Sequence, residues 1–181
     1  MNLLDDNSLE REETIKAIYS SKGARFGAAF IDNLIITLLI FILGLFLGGG
    51  DSIGVNLANA LLFPFYKILM EGSGGQTIGK KLLNIKVVRD DGSFTPLTMS
   101  DANRRFLLWW PMYVGLLFLT IAQMQLRADS FLIILIAIVM LLGCFLSIGS
   151  ALSIFAGKRG KTWHDKIGKT ICVKADSLNR W

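Results

Sequence analysis

Two long stretches of this chain carry almost no charge, and they constrain its fold more than any other feature. Residues 26–47 hold one ionisable side chain, Asp32, and residues 131–155 hold no Asp, Glu, Lys, Arg or His. An α-helix rises about 1.5 Å per residue, so about 20 apolar residues cross the roughly 30 Å hydrocarbon core of a bilayer. Two such segments in a chain of 181 residues could not both be covered by soluble protein. The sequence therefore predicts an integral membrane protein whose first partner is the lipid bilayer.

Two weaker apolar segments bring the predicted number of spans to four. One of them is interrupted by Asn56, Asn59 and Lys67, and the other fades near Gln125. We predict membrane spans at about residues 26–47, 53–70, 106–125 and 131–155. The expected fold class is an all-α membrane protein whose four transmembrane helices form two hairpins.

The positive charges predict how these spans are oriented. Segments 1–25, 71–105 and 156–181 hold 4, 6 and 7 Lys or Arg residues, whereas the two short turns between spans hold only Arg127. Basic loops stay in the cytoplasm, so three basic segments on one side require an even number of crossings between them. We expect both termini in the cytoplasm. Because this topology accounts for the basic charge, no nucleic-acid partner is expected.

The parts outside the membrane are small. Residues 82–89 and 170–174 are rich in β-branched side chains, which favours a small cytoplasmic sheet in which the tail pairs with the 71–105 loop. Ser100 is a candidate cap for a short helix before the third span. The predicted organisation is a cytoplasmic amphipathic segment at 1–24, a membrane domain at 25–174 and a short tail at 175–181.

Asp32 is the main candidate for chemistry inside the membrane. An Asp at the centre of a membrane helix costs about 2.5–3.5 kcal/mol on insertion scales, so it needs a partner or a polar path. Arg25 lies on nearly the same helical face about 10 Å away, and Lys67 has a similar depth in the second span. The second span also has a polar stripe, consisting of Asn56, Asn59, Tyr66 and Lys67. Two interpretations stay open: an ion pair that fixes helix registration, or an ion or proton site.

Other chemistry has little support in the sequence. His164 is the only histidine, and no further ligands are spaced for a metal site around it. Residues 74–80 have the GxxxxGK spacing of a phosphate-binding loop, but Lys81 replaces the Ser or Thr that would hold magnesium. No catalytic pattern is present, so we expect no enzyme activity, no metal and no cofactor.

Three segments resemble the RDD family of small bacterial integral membrane proteins. They are Ala24-Arg25-Phe26-Gly27-Ala28-Ala29-Phe30-Ile31-Asp32, the loop from Gly75 to Val88, and the segment from His164 to Val173. The likeness covers roughly residues 20–174. The family is named for one arginine and two aspartates, which match Arg25, Asp32 and, for the second aspartate, Asp165. Its cytoplasmic motifs match Gly75, Thr77, Gly79, Lys80, His164 and Asp165.

The resemblance implies a role in transport, because sodium/proton exchange has been suggested for some members of the family. We therefore expect transport of a small cation or proton past Asp32, by a homo-oligomer, since four helices make a thin wall for a pore. The alternative is an accessory subunit that binds a larger membrane protein through its sheet and N-terminal helix. In either case we expect His164 and Asp165 to tie the tail to the loop that carries Gly79 and Lys80.

Overall fold

A computed structural model describes residues 19–49, 52–91, 94–124, 130–156 and 161–180. Most of the predicted amphipathic segment at 1–24 lies outside these residues. The helices are α1 (Lys22–Phe46), α2 (Ile53–Gly74), α3 (Ile78–Leu82), α4 (Met99–Phe106), α5 (Trp110–Met124), α6 (Ser130–Ala156) and α7 (Trp163–Gly168); the strands are β1 (Ile85–Arg89) and β2 (Thr170–Lys174), followed by a 3₁₀ helix (Ala175–Arg180).

Short polar side chains begin most of these helices. Ser21 and Ser52 accept hydrogen bonds from backbone amides three residues later and so cap α1 and α2. Gly75 ends α2 with a φ of 70°, a left-handed conformation that glycine adopts without a steric penalty. The predicted cap of α4 at Ser100 was wrong. Thr98 caps this helix instead, because it forms a capping box with Asp101.

Three helices are long and apolar enough to cross a membrane, namely α1, α2 and α6 from Phe131 onward. The short helix expected before the third span is α4, which ends at Phe106. The third span starts later than predicted: α5 begins at Trp110, and the two helices are bent by 80°. They make a fourth candidate span only when they are counted together. At 15 residues α5 alone is about 22 Å long, shorter than the hydrocarbon core.

The predicted pairing of the loop strand with the tail strand is confirmed. Strands β1 and β2 are antiparallel, with Ile85 opposite Lys174 and Arg89 opposite Thr170. Isolated bridges, Val88 to Pro96 and Tyr19 to Val173, add a neighbour on each outer side of the pair. One face of this sheet packs on the start of α1, where Val87 and Cys172 share an apolar core with Ala28.

The long helices pack in an open order. Helix α1 packs on α2, α2 on α5 and α5 on α6, while α1 and α6 make little contact with each other. Large apolar side chains on α1 and α6 remain exposed, including Phe26 (68%), Phe41 and Phe145. Such surfaces are expected where helices face lipid. The order leaves a cleft between α1 and α6, spanned near one end by a hydrogen bond from Lys22 Nζ to the Phe155 carbonyl, 3.0 Å long.

Candidate functional site

The Asp165 carboxylate is held in place by its own short helix, α7. Thr162 caps this helix: its hydroxyl accepts from the Asp165 amide, and Asp165 Oδ2 accepts from the Thr162 amide at 3.1 Å. The carboxylate is completely buried and accepts from Arg105 Nη1 at 2.5 Å and from Arg25 Nη2. Two guanidinium groups therefore compensate the cost of burying this charge.

Further ion pairs connect Arg105 to Glu71 and Glu71 to Lys80. Arg105 Nε donates to Glu71 Oε2 at 2.9 Å, and Lys80 Nζ donates to Glu71 Oε1 at 2.5 Å. Each of these side chains is less than a tenth exposed. The result is a buried charge cluster: Arg25, Asp165, Arg105, Glu71 and Lys80. It joins the start of α1, the end of α2, α3, α4 and α7 at one end of the molecule.

Asp32 forms a separate anchor, 1% exposed. Its Oδ1 accepts from the Tyr66 hydroxyl at 2.7 Å and the Gly79 amide at 2.8 Å, and its Oδ2 accepts from the Thr77 hydroxyl at 2.6 Å. Tyr66 of the predicted polar stripe does contact Asp32, but the two expected cations do not: Arg25 binds Asp165, and no ion pair joins Asp32 to Lys67 in the described part of the chain. Neutral donors on α2 and α3 satisfy the carboxylate instead.

The sequence predicted a role for Lys67, but this lysine does not belong to the buried charge cluster. Its ammonium lies 5.5 Å from the centroid of the Phe63 ring, a cation–π contact. Among the described residues, no carboxylate oxygen lies within 4.0 Å of this nitrogen. Lys67 therefore carries a charge close to the cluster but outside its ion pairs.

Two cavities adjoin these charges. The first, here called the charged cavity, has a volume of about 120 Å³ and is lined by Arg25, Asp32, Lys67, Lys80, Arg105 and His164 among others. The second, the polar cavity, has a volume of about 280 Å³ and is lined by Thr37, Asn56, Asn59 and Tyr113 among others. Asn33 and Phe63 line both cavities, so the two cavities adjoin at these side chains.

His164 is held in its neutral form. Its Nδ1 lies 2.8 Å from the Ser150 hydroxyl and its Nε2 lies 2.9 Å from the Thr162 hydroxyl. Burial lowers the pKa of His164 to about 3, against the opposing effect of the Asp165 carboxylate. The pKa of Asp165 lies well below its ordinary value: burial alone would raise it, but the guanidinium groups of Arg105 and Arg25 and the hydrogen bond from the Thr162 amide outweigh burial.

The structure brings the predicted residues together in a different arrangement from the one expected. Asp165 does not contact Lys80 directly; the tie runs through Arg105 and Glu71. Gly75 contacts β1 instead, because its carbonyl accepts a hydrogen bond from the Val87 amide. Asn56 and Asn59 line the polar cavity rather than contacting Asp32. In the described residues no three His, Cys, Asp or Glu side chains could hold a metal ion.

Sequence reasoning missed Glu71, Arg105 and Thr162. Glu71 is the only acidic residue in α2, and a buried carboxylate in an apolar helix needs a cationic partner. Thr162 stands three residues before Asp165, which is the spacing of a capping box. Both signals are present in the sequence. Arg105, beside the exposed Arg104, carries no signal that separates the two.

The family assignment rests on a match across most of the chain. The model of the RDD family matches residues 19–169, which include every element of the buried charge cluster. The chain belongs to the RDD family. No curated protein matches it. Together with the apolar helices, membership indicates a membrane protein. In this RDD protein the arginine and one of the two matched aspartates, Arg25 and Asp165, form an ion pair, while the other, Asp32, anchors α3.

Proposed function

We propose that this RDD protein transports a small cation, and in the simplest case a proton, through the two cavities. The observation that carries the proposal is that the charged and polar cavities adjoin, with Asn33 and Phe63 in the lining of both. Along α2 the lining runs from Asn56 to Lys67. This stretch of helix is about 17 Å long, somewhat more than half of the roughly 30 Å hydrocarbon core. Polar groups at such depth are costly and are usually functional.

The lining of the charged cavity favours a proton over a metal cation. Four cationic side chains line it, but only one carboxylate, that of Asp32, whose oxygens already accept three hydrogen bonds. A metal ion would meet repulsion and no free oxygen ligand. Lys67 can release and regain a proton without breaking an ion pair. In our proposal Lys67 carries the proton, and the buried Phe63 ring separates the two cavities.

Proton flux in proteoliposomes tests this proposal. A potassium diffusion potential would drive protons inward, and a trapped pH-sensitive dye would report them. We expect flux with the unaltered protein and none with Lys67→Met. Lys81→Met is the matched control, because Lys81 is exposed on α3 and lines neither cavity. Folded protein that passes neither protons nor sodium would refute the proposal.

The orientation of the protein is part of the proposal. The buried charge cluster joins the start of α1, the end of α2, α4 and α7, so these parts lie at one end of the bundle. An even number of crossings between them fits that arrangement. We propose four crossings in two hairpins, with this basic end in the cytoplasm of a bacterial plasma membrane and the functional unit an oligomer.

An accessory role is the alternative. It requires a surface for a larger membrane protein, and the bridges at Pro96 and Tyr19 occupy part of each outer side of the sheet. Purification in mild detergent separates the two functions. A homo-oligomer alone supports transport, whereas a foreign subunit in stoichiometric amount supports the accessory role.

A further inference from the structure

The charged cavity opens sideways, between α1 and α6. Its lining includes Phe26, Ala29 and Asn33, which are exposed on α1, and Ala151, which is exposed on α6. Because α1 and α6 make little contact, these residues border a cleft that reaches the apolar outer surface. A ligand in the cavity can therefore have one part among charges and another part in contact with lipid.

The charges around the cavity do not cancel. Among the described residues the group has four cations and three carboxylates: Arg25, Lys67, Lys80 and Arg105 against Asp32, Glu71 and Asp165. Glu71 and Asp165 are engaged with Lys80, Arg105 and Arg25, and Asp32 is bound by neutral donors. The remaining charge is on Lys67, which faces the cavity. One negative charge would neutralise the group.

The opening of the cavity is largely apolar. Phe26, Ala29 and Ala151 are exposed there beside Asn33, and Trp109 and Ile154 also line the cavity together with the cations. This combination of a cationic interior and an apolar, laterally open mouth matches an amphiphile with an anionic head. Ammonium and guanidinium groups are the usual partners of phosphate oxygens in proteins. A phosphodiester carries one negative charge, which equals the excess.

We propose that the charged cavity binds the phosphate of an anionic phospholipid, with Lys67 as its main contact and the acyl chains leaving between α1 and α6. The site is independent of transport, since binding needs no flux. The lipid headgroup would also hold Lys67 in its protonated form. A bound anionic lipid is then expected to slow a proton carrier that depends on Lys67.

Thermal unfolding of the purified full chain in a neutral detergent tests the site. The probes are short-chain phosphatidylglycerol, short-chain phosphatidylcholine and inorganic phosphate at equal concentrations. A ligand that binds only the folded state raises the unfolding midpoint. We expect phosphatidylglycerol to raise it, and phosphatidylcholine and inorganic phosphate to have little effect. Added potassium chloride should reduce the rise, because charge pairs are screened by salt.

Lys67 variants decide the assignment. Lys67→Met should weaken the apparent affinity for phosphatidylglycerol at least tenfold, whereas Lys67→Arg and the exposed control Lys81→Met should retain it. Lys67→Met removes a cation without a carboxylate partner, so the variant is expected to fold. An unchanged response in Lys67→Met, or an equal response to phosphatidylcholine, would overturn the proposal. An equal Lys67-dependent response to inorganic phosphate would overturn the lipid and assign the site to free phosphate.

Discussion

The backbone amide of Gly79 donates a hydrogen bond of 2.8 Å to Oδ1 of Asp32. This contact is possible because α3 lies directly on α1: a Cβ atom at position 79 would overlap the carbonyl oxygen of Ala28. Thr77 caps α3 and donates to the same carboxylate, and the Tyr66 hydroxyl, which also donates to it, accepts from the Ile78 amide. One carboxylate in α1 thus fixes the position of the loop that leads into β1.

Gly79→Ala is expected to destabilise the protein by about 1–3 kcal/mol, the usual cost of overpacking a tight contact. The atom that an alanine would meet is backbone, which cannot rotate away. Gly74→Ala is the matched control, because no atom lies within 4 Å of a Cβ built there. Thermal unfolding in detergent measures both. Equal midpoints for the two variants would show that α3 does not depend on this close approach.

Asp165→Asn should be more damaging, since it leaves Arg105 and Arg25 without their shared carboxylate. Removing one member of a buried ion pair costs about 3–5 kcal/mol. We expect faster proteolysis of the C-terminal tail in inverted vesicles, with unchanged membrane insertion. Asp90→Asn is the control, because Asp90 pairs with Lys161 at a partly exposed site, where such pairs contribute about 0–1 kcal/mol. A tail as resistant in Asp165→Asn as in Asp90→Asn would contradict this role.

The sequence predicted the long helices and the sheet because hydropathy and β-branching act locally. It failed where side chains cross between distant segments. Arg25 and Asp32 share a helical face, which favoured pairing between them, but Arg25 instead reaches Asp165, 140 positions away. No periodicity within one helix reports such a contact.

The junction of α4 and α5 was predicted in part. A short helix before the third span was expected and is present as α4, but hydropathy placed the start of the span at Phe106, whereas α5 begins at Trp110. Hydropathy carries no information on the 80° angle between the two helices. Nor does it reveal that Arg105, at the end of α4, pairs with Glu71 and Asp165 on other helices.

Stability should fall as the pH drops from 7 to 5. The folded protein keeps His164 neutral, with a pKa of about 3, while the unfolded chain takes up a proton near pH 6.5. The unfolded state therefore binds more protons below pH 6.5, which costs about 2 kcal/mol of stability at pH 5. Asp165 adds nothing in this window, because its contribution is lost only below its ordinary pKa.

The non-titrating variant His164→Asn isolates this effect, because the chain has only one histidine. The variant should be less stable than the unaltered protein at pH 7, since the shorter asparagine side chain cannot keep both contacts that His164 makes to Ser150 and Thr162. Its unfolding midpoint should change less between pH 7 and pH 5. An identical pH dependence in both proteins would assign the loss to other groups.

Reporter fusions should reveal the proposed topology. Fusions after Gly50 and after Arg127 are expected to read as external, and fusions after Gly92 and after Trp181 as cytoplasmic. The reason is that the basic segments flank the buried charge cluster, whereas residues 48–52 and 126–130 carry only one positive charge, Arg127. An external signal at Gly92 would rule out the four-crossing arrangement.

A double-mutant cycle on Asp32 and Lys67 tests whether Asp32 is held by neutral hydrogen-bond donors or by an ion pair with Lys67. Asp32→Asn should lower the free energy of unfolding by about 1–3 kcal/mol. The NH₂ group of asparagine would take the place of one carboxylate oxygen and would then face a hydrogen-bond donor, such as the Thr77 hydroxyl or the Gly79 amide. Lys67→Met should not restore this loss, because Lys67 is not paired with Asp32. We expect a coupling energy below about 0.5 kcal/mol, the range of independent sites, from unfolding midpoints of the four proteins. Recovery of stability in the double variant would instead establish a direct pair across α1 and α2, and Lys67 would then be a structural residue rather than a carrier of protons or a lipid contact.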